Sequence, residues 1–173
     1  MKEIIMIFVL FIFTLSCTNK SENINDVPKD SSGKSVYFPY TTRYSNGFDP
    51  GRPEYLRTVL DIWKEFETGD VTKTANSFED NISITFPDQE LNGPKDVVLA
   101  EFKKRRSVYS VIQNHFDSWM PAKAKDHDDE WVFIWGWQER TGKDGKLSVA
   151  VIHEIWRFNK EGKINFMKQY ISR

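Results

Sequence analysis

Few side chains in the chain are placed to carry out acid–base chemistry, and the first candidate is Glu154. It lies between apolar neighbours in a segment with the composition of a β-strand. If its carboxyl group points inward, burial raises its pKa and suits it to act as a general acid or base. The competing interpretation is a structural carboxylate paired with a Trp N–H or a Tyr O–H. His115 is a second candidate, because it could face a pocket from its own strand.

The histidines do not indicate a metal site. His115, His127 and His153 lack metal-ligand spacing on a single element, and the one cysteine cannot complete a site. Residues 125–130 form an acidic run without the glycine and the alternating ligands of a calcium loop, so we interpret it as a solvated turn. His153 and Glu154 are adjacent and should point to opposite faces of a strand, which makes them a poor catalytic pair. The sequence predicts neither a metal nor a cofactor.

Aromatic residues alternate along one predicted strand, so their rings share one face of a sheet. These residues are Trp131, Phe133, Trp135 and Trp137. An aromatic surface with few polar groups suits an apolar small molecule. The same rings could instead fill the core, because a buried Trp needs only one partner for its N–H. The predicted pocket-lining residues are Trp63, Phe86, Phe133, Trp135, Trp137 and Trp156.

The elements that must position these residues follow from the hydrophobic periodicity. Helices come first and strands later, which predicts an α+β fold with the helices on one face of a sheet. A first helix begins near Pro53 and stops at Gly69, a shorter one begins at Asp70, and a third begins at Gly93-Pro94. Short turns between the later strands indicate an antiparallel meander. The predicted strands cover residues 82–86, 111–124, 131–140, 147–158 and 163–172.

Size, charge and cysteine content bound the possible functions. The chain has 173 residues and a formal net charge of −1, from 24 Lys+Arg against 25 Asp+Glu. This length suits one domain with accessory segments. With no positive excess, nucleic acid is not expected as a partner. The single cysteine excludes an intrachain disulfide.

Residues 1–17 have the pattern of an export signal. Lys2 gives a positive start, an apolar run extends from Ile4 to Leu15, and Cys17 follows. A bilayer span takes about 20 apolar residues, so the run is too short to cross one and suits a secretory signal. Its end resembles the lipobox of bacterial lipoproteins, with Thr14 where that family usually has Leu, and the resemblance implies lipid attachment at Cys17. An ordinary signal peptide and an uncleaved anchor are the alternatives.

The next two segments separate this signal from the domain. Residues 18–35 are polar and almost free of apolar side chains, which predicts a flexible tether. Residues 36–52 carry five aromatic rings among Pro and Gly without a helical or strand period. We interpret them as an irregular arm whose rings pack on the domain, the alternative being a lid over a pocket. The domain itself is predicted to cover residues 53–173, outside the cytoplasm and held at a bacterial cell membrane or outer membrane.

Several short motifs occur in a characteristic order within the domain. They are Leu-Asp-Ile-Trp at 60–63 with Gly-Asp at 69–70, residues 78–82, residues 93–96, and Glu-Ile-Trp-Arg-Phe-Asn at 154–159 with Gly-Lys-Ile at 162–164. Their order and spacing resemble the nuclear transport factor 2-like superfamily, which includes SnoaL-like polyketide cyclases and ketosteroid isomerases. The resemblance implies a cone-shaped fold, in which a curved antiparallel sheet wraps around about three helices. It also implies a pocket at the open end.

The resemblance argues against one family reaction. Ketosteroid isomerases use a catalytic Tyr on the first helix and a general-base Asp on the first strand. Aligned on Gly69-Asp70, those positions fall on Ile62 and Phe86, and neither side chain can move a proton. The second acid of the family falls on Glu154. The sequence therefore leans towards a protein that is not an enzyme.

The strand at residues 147–158 is apolar on both faces, whereas a sheet with one solvated face alternates more cleanly. Something is therefore expected to cover the outer face. Many members of the superfamily dimerise through that surface, so a homodimer is the first expectation and a different protein partner the second.

The sequence is compatible with three functions. The first is non-enzymatic binding of a small apolar molecule. The second is isomerase, hydratase or cyclase chemistry of the SnoaL-like kind, using Glu154 or His115. The third is a dimeric protein-interaction module.

Overall fold

The computed structural model describes residues 32–172. The sheet and both helices lie in a compact unit that begins at Thr42. They are β1 (Phe48–Pro50), α1 (Pro53–Thr68), a 3-10 turn (Ala75–Ser77), β2 (Phe78–Phe86), β3 (Gln89–Pro94), α2 (Lys95–Ser107), β4 (Tyr109–Ala124), β5 (Glu130–Gly142), β6 (Leu147–Phe158) and β7 (Ile164–Ser172). The α+β class predicted from the sequence is confirmed.

One seven-stranded sheet organises this unit, in the order β1-β4-β5-β6-β7-β2-β3. Most neighbours are antiparallel, but β2 and β7 run parallel, with Ile84 opposite Met167. The predicted antiparallel sheet therefore contains one parallel pairing. A hairpin forces its two strands to be antiparallel. A long stretch of chain separates β2 from β7, so only the tertiary structure sets their relative direction.

Helix α1 has the predicted bounds and packs on the sheet. Pro53 opens it, where a missing N–H costs nothing. Gly69 closes it in the left-handed conformation, at φ 91°, and donates its N–H to the carbonyl of Glu65 at 2.8 Å. One side of the helix is buried, and there the Tyr55 ring stacks on Phe158 with 4.2 Å between ring centroids.

The region between the two α-helices differs from the prediction. Where a short second helix was expected, the chain forms only the turn Ala75–Ser77, and Phe78 already begins β2. Asp70 accepts a hydrogen bond from the Thr72 hydroxyl at 2.7 Å within this connection. A strand that was not predicted, Gln89–Pro94, pairs with β2 through a tight hairpin. Segments this short carry too few residues for periodicity to distinguish helix, turn and strand.

Alternation along β5 gives the sheet two different faces. Val132 and Ile134 are fully buried on the face that packs against the helices, which we call the inner face. Trp131 and Phe133 lie on the opposite, outer face and are only partly buried. Gly136 lies beside an irregularity in β4, where an added Cβ would lie 2.3 Å from the His115 carbonyl oxygen. A side chain at this position would therefore push β4 away from β5.

The arm predicted over residues 36–52 is not wholly irregular, because Phe48–Pro50 pair with β4 as strand β1. Phe48 packs edge-on against Phe133, at 6.2 Å between ring centroids, and Tyr44 packs edge-on against Trp131 at 5.4 Å. The predicted signal segment, most of the tether and Cys17 lie outside the described residues. Between residues 32 and 172, none of the helices has the length and apolar character needed to cross a membrane.

Candidate functional site

A cavity of about 680 Å³ lies between the two helices and the inner face of the sheet. Its volume falls within the range of about 300–1,000 Å³ that is typical of small-molecule sites. Exposed residues of α2 and of the turn after it line its mouth. Much of its wall is aromatic or aliphatic, and six of these residues are Trp63, Phe66, Phe86, Leu99, Phe102 and Trp156.

Glu154 forms part of the cavity wall and is held by three neutral donors. Its Oε2 accepts hydrogen bonds from the indole N–H groups of Trp63, at 2.6 Å, and Trp156, at 2.9 Å. Its Oε1 accepts one from the Gln169 amide at 2.7 Å. Burial raises the pKa of Glu154, and the three donors together with the charge of Arg140 oppose that rise. The carboxylate thus joins α1, β6 and β7 at one point.

A row of polar side chains continues along the wall from β5. Arg140 donates from Nε, at 2.9 Å, and from Nη2, at 2.6 Å, to the Gln138 amide oxygen. The Gln138 amide donates to Asn114 at 2.7 Å, and Asn114 donates to the Trp63 carbonyl at 2.9 Å. This chain of bonds links β5, β4 and α1. It also satisfies Gln138, which is almost completely buried.

Charged residues lie at the mouth of the cavity. The Arg105 guanidinium lies over the Phe86 ring, 3.9 Å from its centroid. The same group makes ion pairs with Asp88, at 2.9 Å, and with Glu101, at 3.0 Å. Deeper in, burial raises the pKa of Glu65, which accepts a hydrogen bond from the Thr74 hydroxyl at 3.1 Å.

Solved structures with the same architecture come from several organisms. An NTF2-like protein of unknown function from Exiguobacterium sp. 255-15 covers 66% of this chain and 98% of its own, with a TM-score of 0.55 and 18% identity. An NTF2-like protein from Anabaena variabilis ATCC 29413 covers 70% and 89%, with a TM-score of 0.57 and 15% identity. A predicted SnoaL-like polyketide cyclase from Shewanella denitrificans OS-217 covers 70% and 92%, with a TM-score of 0.57 and 11% identity.

The chain has the NTF2-like fold. The fold implied by the sequence resemblance is therefore confirmed. At these identities the likeness concerns the fold alone, and one fold hosts many functions. No protein-family model matches the sequence, and no curated protein matches it significantly.

The NTF2-like architecture divides the predicted pocket residues between the two faces of the sheet. Trp63, Phe86 and Trp156 line the cavity. The prediction was wrong for the β5 aromatics, because Phe133, Trp135 and Trp137 lie on the outer face. The period of a strand groups residues by face but does not say which face is inward, and here the smaller Val132 and Ile134 fill the core.

Two of the histidines, His115 and His153, also lie on the outer face. His115 stacks on Trp137, with 3.8 Å between ring centroids, so it does not reach the cavity and the expectation that it faces a pocket was wrong. His153 stacks on Trp135 at 4.9 Å, and burial lowers its pKa. It points away from Glu154, as strand alternation predicted. Among the residues that the structure describes, no cluster of His, Cys, Asp and Glu side chains could hold a metal ion.

The acidic run 125–130 does more than form a solvated turn. Asp129 accepts a hydrogen bond from the Tyr44 hydroxyl at 2.6 Å, and Asp126 accepts one from the Asn46 backbone N–H at 2.7 Å. Glu130 is buried and pairs with Arg52 at 2.7 Å. These acidic side chains fasten the segment before α1 to the sheet.

Sequence reasoning missed the polar residues of the cavity wall, above all Gln138 and Arg140. The sequence contained a sign of this, because both residues are an even number of positions from Val132 and Ile134 and therefore lie on the same face of β5. Assigning the inner face to the aromatic residues would put these two polar positions on the outer face.

Replacing Glu154 by Gln tests the effect of burial on its carboxyl group. Because the pKa is raised in the folded state, the stability that Glu154 contributes is fully present below its ordinary pKa of 4.5 and is lost as pH rises through the folded-state value. The unfolding free energy of the wild type, minus that of Glu154→Gln, should fall as the pH is raised from about 4 to about 8. Urea unfolding of both proteins at each pH, followed by circular dichroism, measures this difference in unfolding free energy. A difference that grows with pH would show that the three donors outweigh burial.

Proposed function

We propose that the domain binds a small, largely apolar molecule in the cavity and does not transform it. The aromatic wall formed with Trp63, Phe86 and Trp156 carries this proposal, since small-molecule sites combine aromatic and apolar walls with polar groups at defined positions. The volume leaves room for a molecule of several fused or linked rings, or for a medium-length acyl chain.

The residues that line the cavity favour binding of a ligand over catalysis. Ile62 and Phe86, the positions where ketosteroid isomerases carry their Tyr and Asp, both line the wall and are apolar. Glu154 is the carboxylate best placed for an alternative isomerase, hydratase or cyclase reaction. Its two oxygens already accept three hydrogen bonds, which favours a structural role, and His115 is on the other side of the sheet.

A neutral fluorescent probe tests the cavity directly. N-Phenyl-1-naphthylamine should bind one molecule per chain with a rise in fluorescence. Leu99→Trp, which fills the cavity from α2, should weaken binding by about tenfold or more. Val97→Trp is the matched control, because Val97 lies on the same helix and is 54% exposed. Equal loss in both variants, or binding that neither changes, would place the probe elsewhere and contradict the proposal.

We further propose that the domain is exported and held at a bacterial membrane through lipid on Cys17. The lipobox-like end of the apolar run supports this, and the polar residues 18–35 would give the domain reach from the bilayer. Several buried acyl chains anchor a protein firmly.

The substitution Cys17→Ser tests the anchor in a bacterial host. Wild-type protein is expected in the membrane fraction, with lipid on its N-terminal residue in the mass spectrum. The variant should lose the lipid and leave the membrane fraction after cleavage by a general signal peptidase. Unmodified Cys17 in the wild type would refute lipidation.

A second proposal concerns the outer face of the sheet, where we expect a second copy of the chain to bind. Trp131, Phe133 and Trp135 form a stacked row, with 6.4 Å and 6.2 Å between neighbouring ring centroids. Trp137 continues this row, and next to it Val151 of β6 is about half exposed, as is Val149 farther along the strand. Contiguous apolar surface of this kind typically marks an interaction site. A formal net charge of −1 opposes the approach of two copies only weakly.

Placing a charge on this face should separate the copies. Val151→Glu is expected to turn a dimer into a monomer, because the new carboxylate would lose its water in the interface. Val97→Glu serves as the control, since its exposure of 54% is close to the 51% of Val151 and it lies on α2. Light scattering coupled to size-exclusion chromatography measures the mass. A monomeric wild type, or a dimer that persists in Val151→Glu, would refute the interface.

A further inference from the structure

One cation on the cavity wall is not neutralised by direct contact. Three basic side chains line the cavity, and Lys104 and Arg105 each pair with Glu101, at 3.3 Å and 3.0 Å. Arg140 makes no ion pair with any carboxylate between residues 32 and 172. It is half-buried, and a guanidinium stays protonated at all physiological pH values. The cavity therefore holds a permanent positive charge among aromatic rings.

The hydrogen bonds of Arg140 orient this charge without cancelling it. Nε and Nη2 both donate to the neutral amide oxygen of Gln138, which fixes the plane of the guanidinium. Nη1 lies 3.5 Å from the Tyr109 hydroxyl oxygen, at the start of β4. A guanidinium has five N–H donors, so some on the two Nη atoms stay available for an acceptor. The O–H of Tyr109 is a further donor on the same wall.

The carboxylate of Glu154 does not take this role. Its oxygens are engaged by Trp63, Trp156 and Gln169, and it is not in contact with Arg140. The two charges attract each other across the wall, which lowers the pKa of Glu154 against the effect of burial. An acid group entering the cavity would thus be the first carboxylate to reach the guanidinium directly.

We propose that the ligand of this cavity is an apolar carboxylic acid, bound in its ionised form with its carboxylate on Arg140 and Tyr109 and its apolar body against the aromatic wall. This rests on the function proposed above and specifies the chemical class of the ligand. Charge-assisted bonds from a guanidinium are short and strong, and they fix orientation as well as adding affinity. An uncharged apolar molecule would leave Arg140 buried beneath it without a counter-charge.

A pair of probes with nearly the same shape tests the inference in the purified full-length protein. 1-Naphthylacetate carries a carboxylate at about pH 7.5, and 1-naphthylacetamide is its neutral analogue. Isothermal titration calorimetry should show that the wild type binds the acid about tenfold or more tightly than the amide. Arg140→Gln should remove this preference, because it weakens binding of the charged acid far more than binding of the neutral amide. Arg57→Gln is the control, because Arg57 is exposed on α1 and pairs with Asp61.

Two further variants keep the test decisive if Arg140→Gln does not fold, as judged by circular dichroism. Arg140→Lys should retain part of the preference for the acid, and Tyr109→Phe should reduce it. If the wild type binds both probes equally, or if Arg140→Gln keeps the preference, the acid site is refuted while the binding cavity stands. If neither probe binds at millimolar concentration, the cavity function fails together with it.

Discussion

The buried carboxylate of Glu154 is the constraint on which the arrangement of the cavity depends. A carboxylate without hydrogen-bond partners would be very costly in this position, and its donors come from α1, β6 and β7. Those donors include the indoles of Trp63 and Trp156, so the bonds that satisfy the acid also set the angle of two rings on the cavity wall. Helix and sheet are thereby fixed at a separation that leaves a cavity between them.

Strand β5 also contributes to several parts of the structure at once. Towards its start, inward residues such as Val132 and Ile134 close the core, and towards its end Gln138 and Arg140 give the wall its polar row. Its outward residues form the aromatic row that we assign to a second copy of the chain. One strand thus supplies both surfaces on which function is proposed, and a register slip of one residue would exchange them.

The cavity combines a half-buried positive charge with an aromatic wall. Arg140 is half-buried with a neutral partner, Gln138, and this leaves its charge available to a ligand. The aromatic wall contributes affinity but does not orient the ligand, whereas the guanidinium and the Tyr109 hydroxyl fix the orientation of the ligand. The NTF2-like fold provides the enclosure, and the side chains peculiar to this sequence decide what the enclosure accepts.

The sequence by itself determined the α+β class, the bounds of α1, the long strands and the NTF2-like fold, because each depends on local periodicity or on the order of short motifs. It also gave a Trp N–H or a Tyr O–H as the possible partner of a structural Glu154, and the structure shows two Trp N–H donors. Only the tertiary structure decided that Phe133, Trp135 and Trp137 face outward, that His115 stacks on Trp137, and that β2 and β7 run parallel. The physical reason is that a period of two divides a strand into two sets of residues, and only packing against α1 and α2 chooses which set is buried.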